Sequence, residues 1–167
     1  MKKVNEQQKM NTFYNEHGEK QFKPNTTVAA VIVYQNKFLL VEEIENNRHV
    51  FNQPAGHLEA KENLIDAAKR EIYEETGLAL EPQYCSGIYY FHRPELSLYF
   101  LRFCFVIELD ELLESTPNDD EILATHWFTL EEIIERKNQL RSSMVLECIE
   151  DYLNGQKINL AAFKSNL

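Results

Sequence analysis

Runs of apolar residues separated by polar turns predict that much of the chain forms β-strands. The first run, TTVAAVIVY at residues 26–34, is rich in β-branched residues and too short for a typical helix, which indicates a buried strand. Similar runs follow, each bounded by polar or turn-forming residues. The strands predicted in this way cover residues 26–34, 37–43, 49–51, 84–91, 98–109 and 124–128.

Apolar residues spaced three and four positions apart predict helices after the third and the last of these strands. The best-defined helix lies between Asn63, a favourable N-cap that Asp66 can complete as a capping box, and Gly77, which suits the left-handed position after a helix. Two more helices are predicted, one from a Thr129–Glu132 capping box to about Lys137 and one from Ser142 or Ser143 to Asn154–Gly155. This order predicts an α/β (α+β) fold, with a mixed β-sheet sandwiched between helices.

The first 21 residues differ from the rest of the chain. They are polar, and their only structural signal is a partly helical segment predicted around Gln7 to Tyr14. We therefore expect an N-terminal extension over residues 1–21 and one domain over residues 22–167, which suits a chain of 167 residues.

Composition and charge narrow the classes of function. The chain has 17 Lys and Arg against 27 Asp and Glu, and its formal charge of −10 would repel the phosphates of DNA or RNA. No stretch reaches the roughly 18 apolar residues that a membrane helix needs, and the N-terminus lacks the apolar segment of a secretory signal. Cys85, Cys104 and Cys148 lie in apolar surroundings, which is typical of reduced, buried thiols. We expect a cytoplasmic protein without a nucleic-acid polymer or a membrane as partner.

Three acidic residues on the best-defined helix indicate a metal site. Glu71, Glu74 and Glu75 fall within an arc of about 100° on an α-helix, beside its apolar stripe. Like charges so placed destabilise a helix unless a cation offsets them, and carboxylate oxygens are the ligands that Mg²⁺ and Mn²⁺ prefer. The alternative is a solvated acidic face on which Arg70 pairs with Glu74.

The residues around this helix resemble the Nudix box. Gly56, Glu62 and the run REIYEETGL at residues 70–78 match every fixed position of that motif. The strands before the box and the segment EILATHWF after it are also similar to the Nudix family, and the runs FNQPAGHLEA and FLRFCFVIEL are similar to its NudJ-type bacterial phosphatases. The similarity covers roughly residues 22–155.

The resemblance implies a role for each matching residue. The carboxylates that hold divalent cations in the family correspond to Glu71, Glu74 and Glu75, and Glu71 also corresponds to the base that deprotonates the attacking water. Arg70 corresponds to the arginine that orients this glutamate, Glu62 to a supporting residue, and Gly56 to the bend whose carbonyl completes the metal shell. The sequence PAGH replaces the commoner PGG before the box but keeps the box glycine.

Two residues outside the box are candidates for catalysis or phosphate binding. Many Nudix enzymes use a carboxylate from a later loop, and Glu121 is favoured over Asp119 and Asp120 because it precedes an apolar residue, as in the family pattern; a solvated loop carboxylate is the alternative. Arg102 interrupts an apolar strand, so its guanidinium could bind a phosphate or could face solvent.

Further polar and aromatic residues could line a substrate pocket, although such residues are more often structural. The polar candidates are Gln53, His57, His92 and Arg93. The aromatic candidates, which could stack on a ring, are Phe51, Tyr89, Tyr90 and Phe91, whereas Trp127 is expected in the core.

The resemblance implies Mg²⁺- or Mn²⁺-dependent hydrolysis of a phosphoanhydride bond. The implied substrates are nucleoside tri- and diphosphates, and also thiamine pyrophosphate and its hydroxymethylpyrimidine pyrophosphate precursor, with release of orthophosphate. An ADP-ribose or nucleotide-sugar pyrophosphatase is an alternative, favoured by Pro94 at a position near that of a proline in ADP-ribose hydrolases. A non-enzymatic ligand sensor is a third reading, although such modules usually lack box carboxylates. The chain could act as a monomer or a homodimer.

Overall fold

The computed structural model describes residues 12–14 and 20–167. The strands are β1 (Thr12–Tyr14), β2 (Lys20–Phe22), β3 (Asn25–Tyr34), β4 (Lys37–Glu45), β5 (Arg48–Asn52), β6 (Ala55–His57), β7 (Tyr84–Arg93), β8 (Leu98–Leu109) and β9 (Ile122–Thr129). The α-helices in these residues are α1 (Leu64–Thr76), α2 (Leu130–Glu135) and α3 (Met144–Leu153), and short 3₁₀ turns cover Lys137–Gln139 and Leu160–Ala162. None of the helices in the described residues is long and apolar enough to cross a membrane.

Strand β3 lies at the centre of a mixed sheet of seven strands. It runs parallel to β8 along its whole length, whereas its other edge pairs antiparallel with β6 over its first half and with β4 only at the hairpin end. Strand β4 in turn pairs with β5 and β9, and β7 forms an edge beside β8. The two parts of the sheet therefore diverge at the first half of β3, and a space opens between them.

The continuous apolar run of β3 is explained by burial on both faces. Alternate residues Val28, Ala30 and Ile32 pack toward α1, and Ala29, Val31 and Val33 pack toward α3. The predicted mixed sheet between helices is thus confirmed. The three cysteines are buried and free, as predicted.

The ends of α1 are fixed by the predicted capping residues. The Asn63 side chain accepts hydrogen bonds from the backbone N–H groups of Ile65 and Asp66, and Gly77 adopts the left-handed conformation with φ of 72°. The Asp66 carboxylate accepts from the Asn63 amide at 2.6 Å, so it supports the cap through the Asn63 side chain. A Cβ at Gly77 would also overlap the carbonyl oxygen of Thr116, so this position requires glycine for two reasons.

Several predicted boundaries were wrong by a few residues. The Thr129–Glu132 capping box is present, but α2 ends at Glu135 and a 3₁₀ turn follows. The last helix, α3, begins directly after Ser143 and ends before Asn154, as predicted, although the Ser143 side chain makes no capping hydrogen bond. At the N-terminus, Thr12–Tyr14 is a strand paired with Lys20–Phe22 and not part of a helix. The rest of that predicted helical segment lies outside the described residues.

Candidate active site

A cavity of about 660 Å³ occupies the space where the two parts of the sheet diverge. Asn25 and Thr27 line the cavity and lie on the same face of β3 as Ala29 and Val31, which pack against α3. The cavity floor is therefore the part of this sheet face that α3 does not cover. Helix α1 contributes one wall, the tip of the β7–β8 hairpin another, and the loops before β9 and α3 the rest. The cavity therefore collects residues from distant parts of the chain.

Glu75 is the most deeply buried carboxylate on the α1 wall. It is 7% exposed, and one of its oxygens accepts a hydrogen bond from the backbone N–H of Ala55 at 2.8 Å. Burial, together with the negative charges of Glu43 and Glu71, raises the pKa of Glu75 to about 9. An anion in this position is stabilised most effectively by a cation bound beside it.

Glu71 is held against the bend at Gly56. A Cβ at residue 56 would overlap the carboxylate of Glu71, so only glycine gives that carboxylate its present position. Burial raises the pKa of Glu71, while the hydrogen bond that Arg70 donates to it at 2.6 Å lowers the pKa. The close approach explains why a glycine precedes the carboxylate helix, a feature that the sequence showed only as part of the motif.

Arg70 connects the carboxylates of the box. Its guanidinium donates a fork of two hydrogen bonds to Glu62, at 3.0 and 2.8 Å, and single bonds to Glu71 and Glu74, at 2.6 and 3.0 Å. It also donates to the backbone carbonyl of His57 at 2.9 Å. The bonds to Glu62 and Glu71 raise the pKa of Arg70, with the bond to Glu62 contributing most. The bonds to Glu62 also fix the guanidinium so that it can orient Glu71. The predicted orienting residue Arg70 therefore contacts Glu71 and Glu74, and the predicted supporting residue Glu62 holds Arg70.

The donor set on this wall fits a hard divalent cation. Its oxygens come from Glu71, Glu74 and Glu75, all of which line the cavity together with Gly56. Within the part of the chain that the structure describes, no three acidic, histidine or cysteine side chains already converge closely enough to enclose a metal ion. Mg²⁺ commonly keeps water and substrate phosphates in its shell, so a cation here would be completed by such oxygens.

Arg102 lies on the cavity floor as a buried cation. It is 7% exposed, and its Nε and Nη1 have no hydrogen-bond partner. Its guanidinium lies 5.6 Å from the centre of the Phe91 ring. A desolvated guanidinium with free donors is a strong site for a phosphate group. The predicted strand position thus faces the cavity and not solvent.

The loop before β9 brings carboxylates to the same cavity. Asp119 and Glu121 line it, and the Asp119 carboxylate accepts a hydrogen bond from the N–H of Glu121 at 2.8 Å. The loop is attached to the end of α1, because the N–H groups of Asn118 and Asp119 donate to the carbonyl of Glu74 at 2.8 and 2.9 Å. The N–H of Thr116 donates to the carbonyl of Thr76 at 2.9 Å. The helix end and the loop therefore form one unit.

Two predicted substrate contacts were placed wrongly. Phe51 is 8% exposed and belongs to the core, with its ring edge-on to Phe128 at 5.3 Å. Gln53 is 1% exposed, and its amide donates to the carbonyl of Val145 at 2.7 Å, so it connects β5 to α3. Neither residue lines the cavity, although Asn52 between them does.

The other pocket candidates divide between the cavity and the structure around it. His57, Phe91 and Arg93 line the cavity. The remaining candidates have other contacts: Tyr89 donates to Asp151, Tyr90 and His92 are on the exposed face of β7, and Trp127 packs on the core and donates to the Leu113 carbonyl.

Among the cavity residues that were not predicted from the sequence, four polar ones matter for ligand binding. Thr27, Glu43 and Asn52 come from three strands, and Arg141 comes from the turn before α3. The Arg141 guanidinium donates to Glu43 at 2.7 Å and lies 3.5 Å from Glu45. In the sequence, only Glu43 hinted at a site, because this acidic residue follows Leu39 and Val41 on a buried face of β4.

Comparisons with known proteins agree with this geometry. The NUDIX domain family profile matches residues 23–148. Phosphatase NudJ from Escherichia coli strain K12 is 45% identical over 139 residues, which are 83% of this chain and 90% of the relative. A NUDIX hydrolase from Nitrosomonas europaea is 39% identical with a TM-score of 0.81, over 86% of this chain and 98% of that one. The NUDIX domain of Shewanella oneidensis NrtR, solved with ADP ribose, shares only the fold, with 16% identity and a TM-score of 0.69 over 91% of this chain and 98% of that one. A box complete in every fixed position, placed on the wall of such a cavity, establishes that this chain belongs to the Nudix family of phosphohydrolases.

Proposed function

We propose that this chain is a Mg²⁺- or Mn²⁺-dependent phosphatase that releases orthophosphate from nucleoside tri- and diphosphates. The observation that carries the proposal is the presence, in one cavity, of three box carboxylates and the buried guanidinium of Arg102, whose Nε and Nη1 have no hydrogen-bond partner. The carboxylates suit a cation, and the guanidinium suits a phosphate. The similarity to Phosphatase NudJ supports the same class of reaction. Thiamine pyrophosphate and its hydroxymethylpyrimidine pyrophosphate precursor are further candidate substrates.

The roles of the box residues follow from their contacts. Arg70 holds one oxygen of Glu71 at 2.6 Å, which leaves the other oxygen to accept a proton from the attacking water. Glu75 is fixed by the Ala55 N–H, so its second oxygen is available to a cation. When bound, a divalent cation supplies charge neutralisation of the phosphates and activation of the water. Because Arg70, Glu62 and Gly56 hold these groups in place before substrate arrives, little reorganisation is needed during the reaction.

Substrate contacts are assigned to the floor and the loop. Arg102 binds a phosphate through its free Nε and Nη1. Glu121 lies on a loop attached to α1 and serves as an additional ligand or alternative base. His57 contributes to the rim. A cytoplasmic location and a monomeric or homodimeric state remain part of the proposal.

The alternatives have weaker support. Pro94 was the reason to consider an ADP-ribose pyrophosphatase, but it forms the turn between β7 and β8, where its carbonyl accepts from the Ser97 N–H at 3.1 Å, and it does not line the cavity. A ligand sensor would not need the full set of carboxylates, and all of them are present.

The test is a panel of phosphoanhydrides with Mg²⁺, scored for the product released. We expect orthophosphate from nucleoside tri- and diphosphates, and no turnover after Mg²⁺ is chelated. Rapid formation of AMP from ADP-ribose, with no orthophosphate from triphosphates, would replace the proposal with a pyrophosphatase. Binding without turnover of any phosphoanhydride would favour the sensor.

A further inference from the structure

The cavity floor contains an unusual concentration of buried polar atoms without partners. Among the described residues, such atoms are found in Thr27, Glu43, Asn52, Gln53 and Arg102, and all of these residues except Gln53 line the cavity. A buried polar group without a hydrogen bond costs about 1–3 kcal/mol, so a cluster of them facing one cavity offers donors and acceptors that a bound ligand can pair.

The unpartnered atoms form two groups of opposite character. Thr27 and Arg102 are directly paired on β3 and β8, and Arg102 offers donors, which suits phosphate. Glu43 and Asn52 are diagonal neighbours on β4 and β5 and offer two acceptors, Oε1 and Oδ1. Neither residue belongs to the box, although the negative charge of Glu43 raises the pKa of Glu75.

Strand geometry places an aromatic ring opposite the acceptor pair. At the outer end of the cavity, Arg93 on β7 donates to both oxygens of Glu45 on β4, at 3.1 and 3.0 Å. Phe91 precedes Arg93 by two residues on β7, and Glu43 precedes Glu45 by two residues on β4. Each therefore lies on the same face of its strand as the ion-paired residue, about 7 Å further into the cavity. The Phe91 ring is stacked on Phe100, and both rings line the cavity. A flat ring bound between Phe91 and Glu43 would therefore stack on one side and meet acceptors at its edge.

The surroundings of Glu43 favour a neutral donor over a second metal ion. The Arg141 guanidinium already lies 2.7 Å from one Glu43 oxygen, and its positive charge would repel a dication at the other. The carboxylate is 13% exposed. What remains is one free carboxylate oxygen and one free amide oxygen side by side.

We infer that Glu43 and Asn52 determine substrate specificity by accepting hydrogen bonds from the exocyclic amino group of a nucleobase that stacks on Phe91. This inference rests on the proposed function, because it concerns the part of the substrate that the phosphate-binding residues do not contact. Cytosine and adenine carry an amino group where uracil and hypoxanthine carry a carbonyl oxygen. The carbonyl oxygen would face two acceptors and would be disfavoured.

The direct test is the binding of nucleoside monophosphates with Mg²⁺, measured by calorimetry, because these ligands need no turnover. We expect CMP to bind about 10- to 100-fold more tightly than UMP, and AMP more tightly than IMP, as for a hydrogen bond to a charged acceptor. In Glu43→Gln the amide can also donate, so the ratio should fall to within about threefold. Equal affinities of the parent protein for CMP and UMP would overturn the inference.

The matched control is Glu45→Gln. It removes a neighbouring carboxylate that also pairs with Arg141, but its oxygens already have partners and it does not line the cavity. Glu45→Gln should keep the CMP preference. If Glu43→Gln and Glu45→Gln both lost it, the preference would arise from net charge and not from the contacts of Glu43. Asn52→Ala is a second variant, for use if Glu43→Gln does not fold. The inference would also be overturned if Asn52→Ala, and Glu43→Gln where it folds, kept the full CMP preference of the parent protein.

Turnover separates the failure of this inference from the failure of the proposed function. Hydrolysis of CTP and UTP with equal kcat/KM, together with equal binding of CMP and UMP, would refute the specificity pair and leave the phosphatase in place. A clear CMP preference without hydrolysis of any phosphoanhydride would support the pair and refute the phosphatase.

Discussion

Gly56→Ala tests whether catalysis depends on the position of the Glu71 carboxylate. The backbone at Gly56 is not in the left-handed region, so alanine fits the local conformation, but its Cβ would lie more than 1 Å inside normal contact distance of the Glu71 carboxylate. The obstacle is the end of a flexible side chain, so Glu71 can move away while the strand stays paired with β3. The substitution therefore displaces one functional group and leaves the fold intact.

The expected effect can be derived from that displacement. A shift of about 1 Å in a catalytic group can cost about 100-fold in rate, which corresponds to about 2.7 kcal/mol in the activation barrier. The stability of the folded state should change little, because replacing glycine by alanine lowers the entropy of the unfolded chain by about 0.4–1 kcal/mol. We therefore expect a 100-fold lower kcat for Mg²⁺-dependent release of orthophosphate, with a melting temperature within a few degrees of the parent.

Gly87→Ala provides the matched control. A Cβ there would overlap the Tyr89 hydroxyl by a similar amount, again at the end of a side chain, and neither residue lines the cavity. This variant should retain the parental kcat. If Gly56→Ala kept the parental kcat as well, the close approach of Gly56 and Glu71 would have no catalytic meaning and the assignment of Glu71 as base would lose its main geometric support.

Four further predictions concern the remaining site residues. Glu75→Gln should lower kcat by orders of magnitude with the helix intact, because glutamine is a comparable helix former, and near-parental Mg²⁺-dependent turnover would contradict the metal site. Because the pKa of Glu75 is raised to about 9 from 4.5, the folded state binds a proton that the unfolded state releases. In denaturation experiments with a chelator present, the free energy of unfolding should therefore fall as the pH rises from 4.5 to about 9, by up to about 1.4 kcal/mol per pH unit. Glu75→Gln should make this pH dependence weaker. Glu121→Gln should reduce kcat without changing the melting temperature; if Asp119→Asn does so instead, the loop carboxylate has been wrongly chosen. Arg102→Lys keeps the charge but loses the two parallel donors of the guanidinium. The activation free energy that corresponds to kcat/KM for triphosphates should therefore rise by about 1–3 kcal/mol, and an unchanged kcat/KM would remove Arg102 from substrate binding.

The part of the site that could be predicted from the sequence is the part that is local along the chain. The box helix carries its own caps, its apolar stripe and its carboxylates within a short segment. Arg70 meets its neighbour Glu71, Glu74 one turn later and Glu62 just before the helix, all within a few residues in sequence. Strand β3 was equally clear, because burial on both faces leaves a continuous apolar run.

The rest of the site depends on contacts between distant segments. Glu43, Asn52 and Arg141 meet only because β4, β5 and the turn before α3 pack together, and no short motif signals this. Phe51 and Gln53 were misassigned for the same reason. Their side-chain types suggested the pocket, whereas the alternation along residues 51–53 turns Asn52 toward the cavity and Gln53 toward α3.

The attachment of residues 116–119 to the end of α1 determines where this chain tolerates a change in length. Residues added between Thr116 and Glu121 would break the bonds to the Thr76 and Glu74 carbonyls and move the loop carboxylates away from the box. Upstream, Glu111 and Leu112 are exposed and precede the first of these anchors. An inserted segment or a fluorescent label between Glu111 and Leu112 would therefore project from the surface while the geometry of the cavity stays as it is.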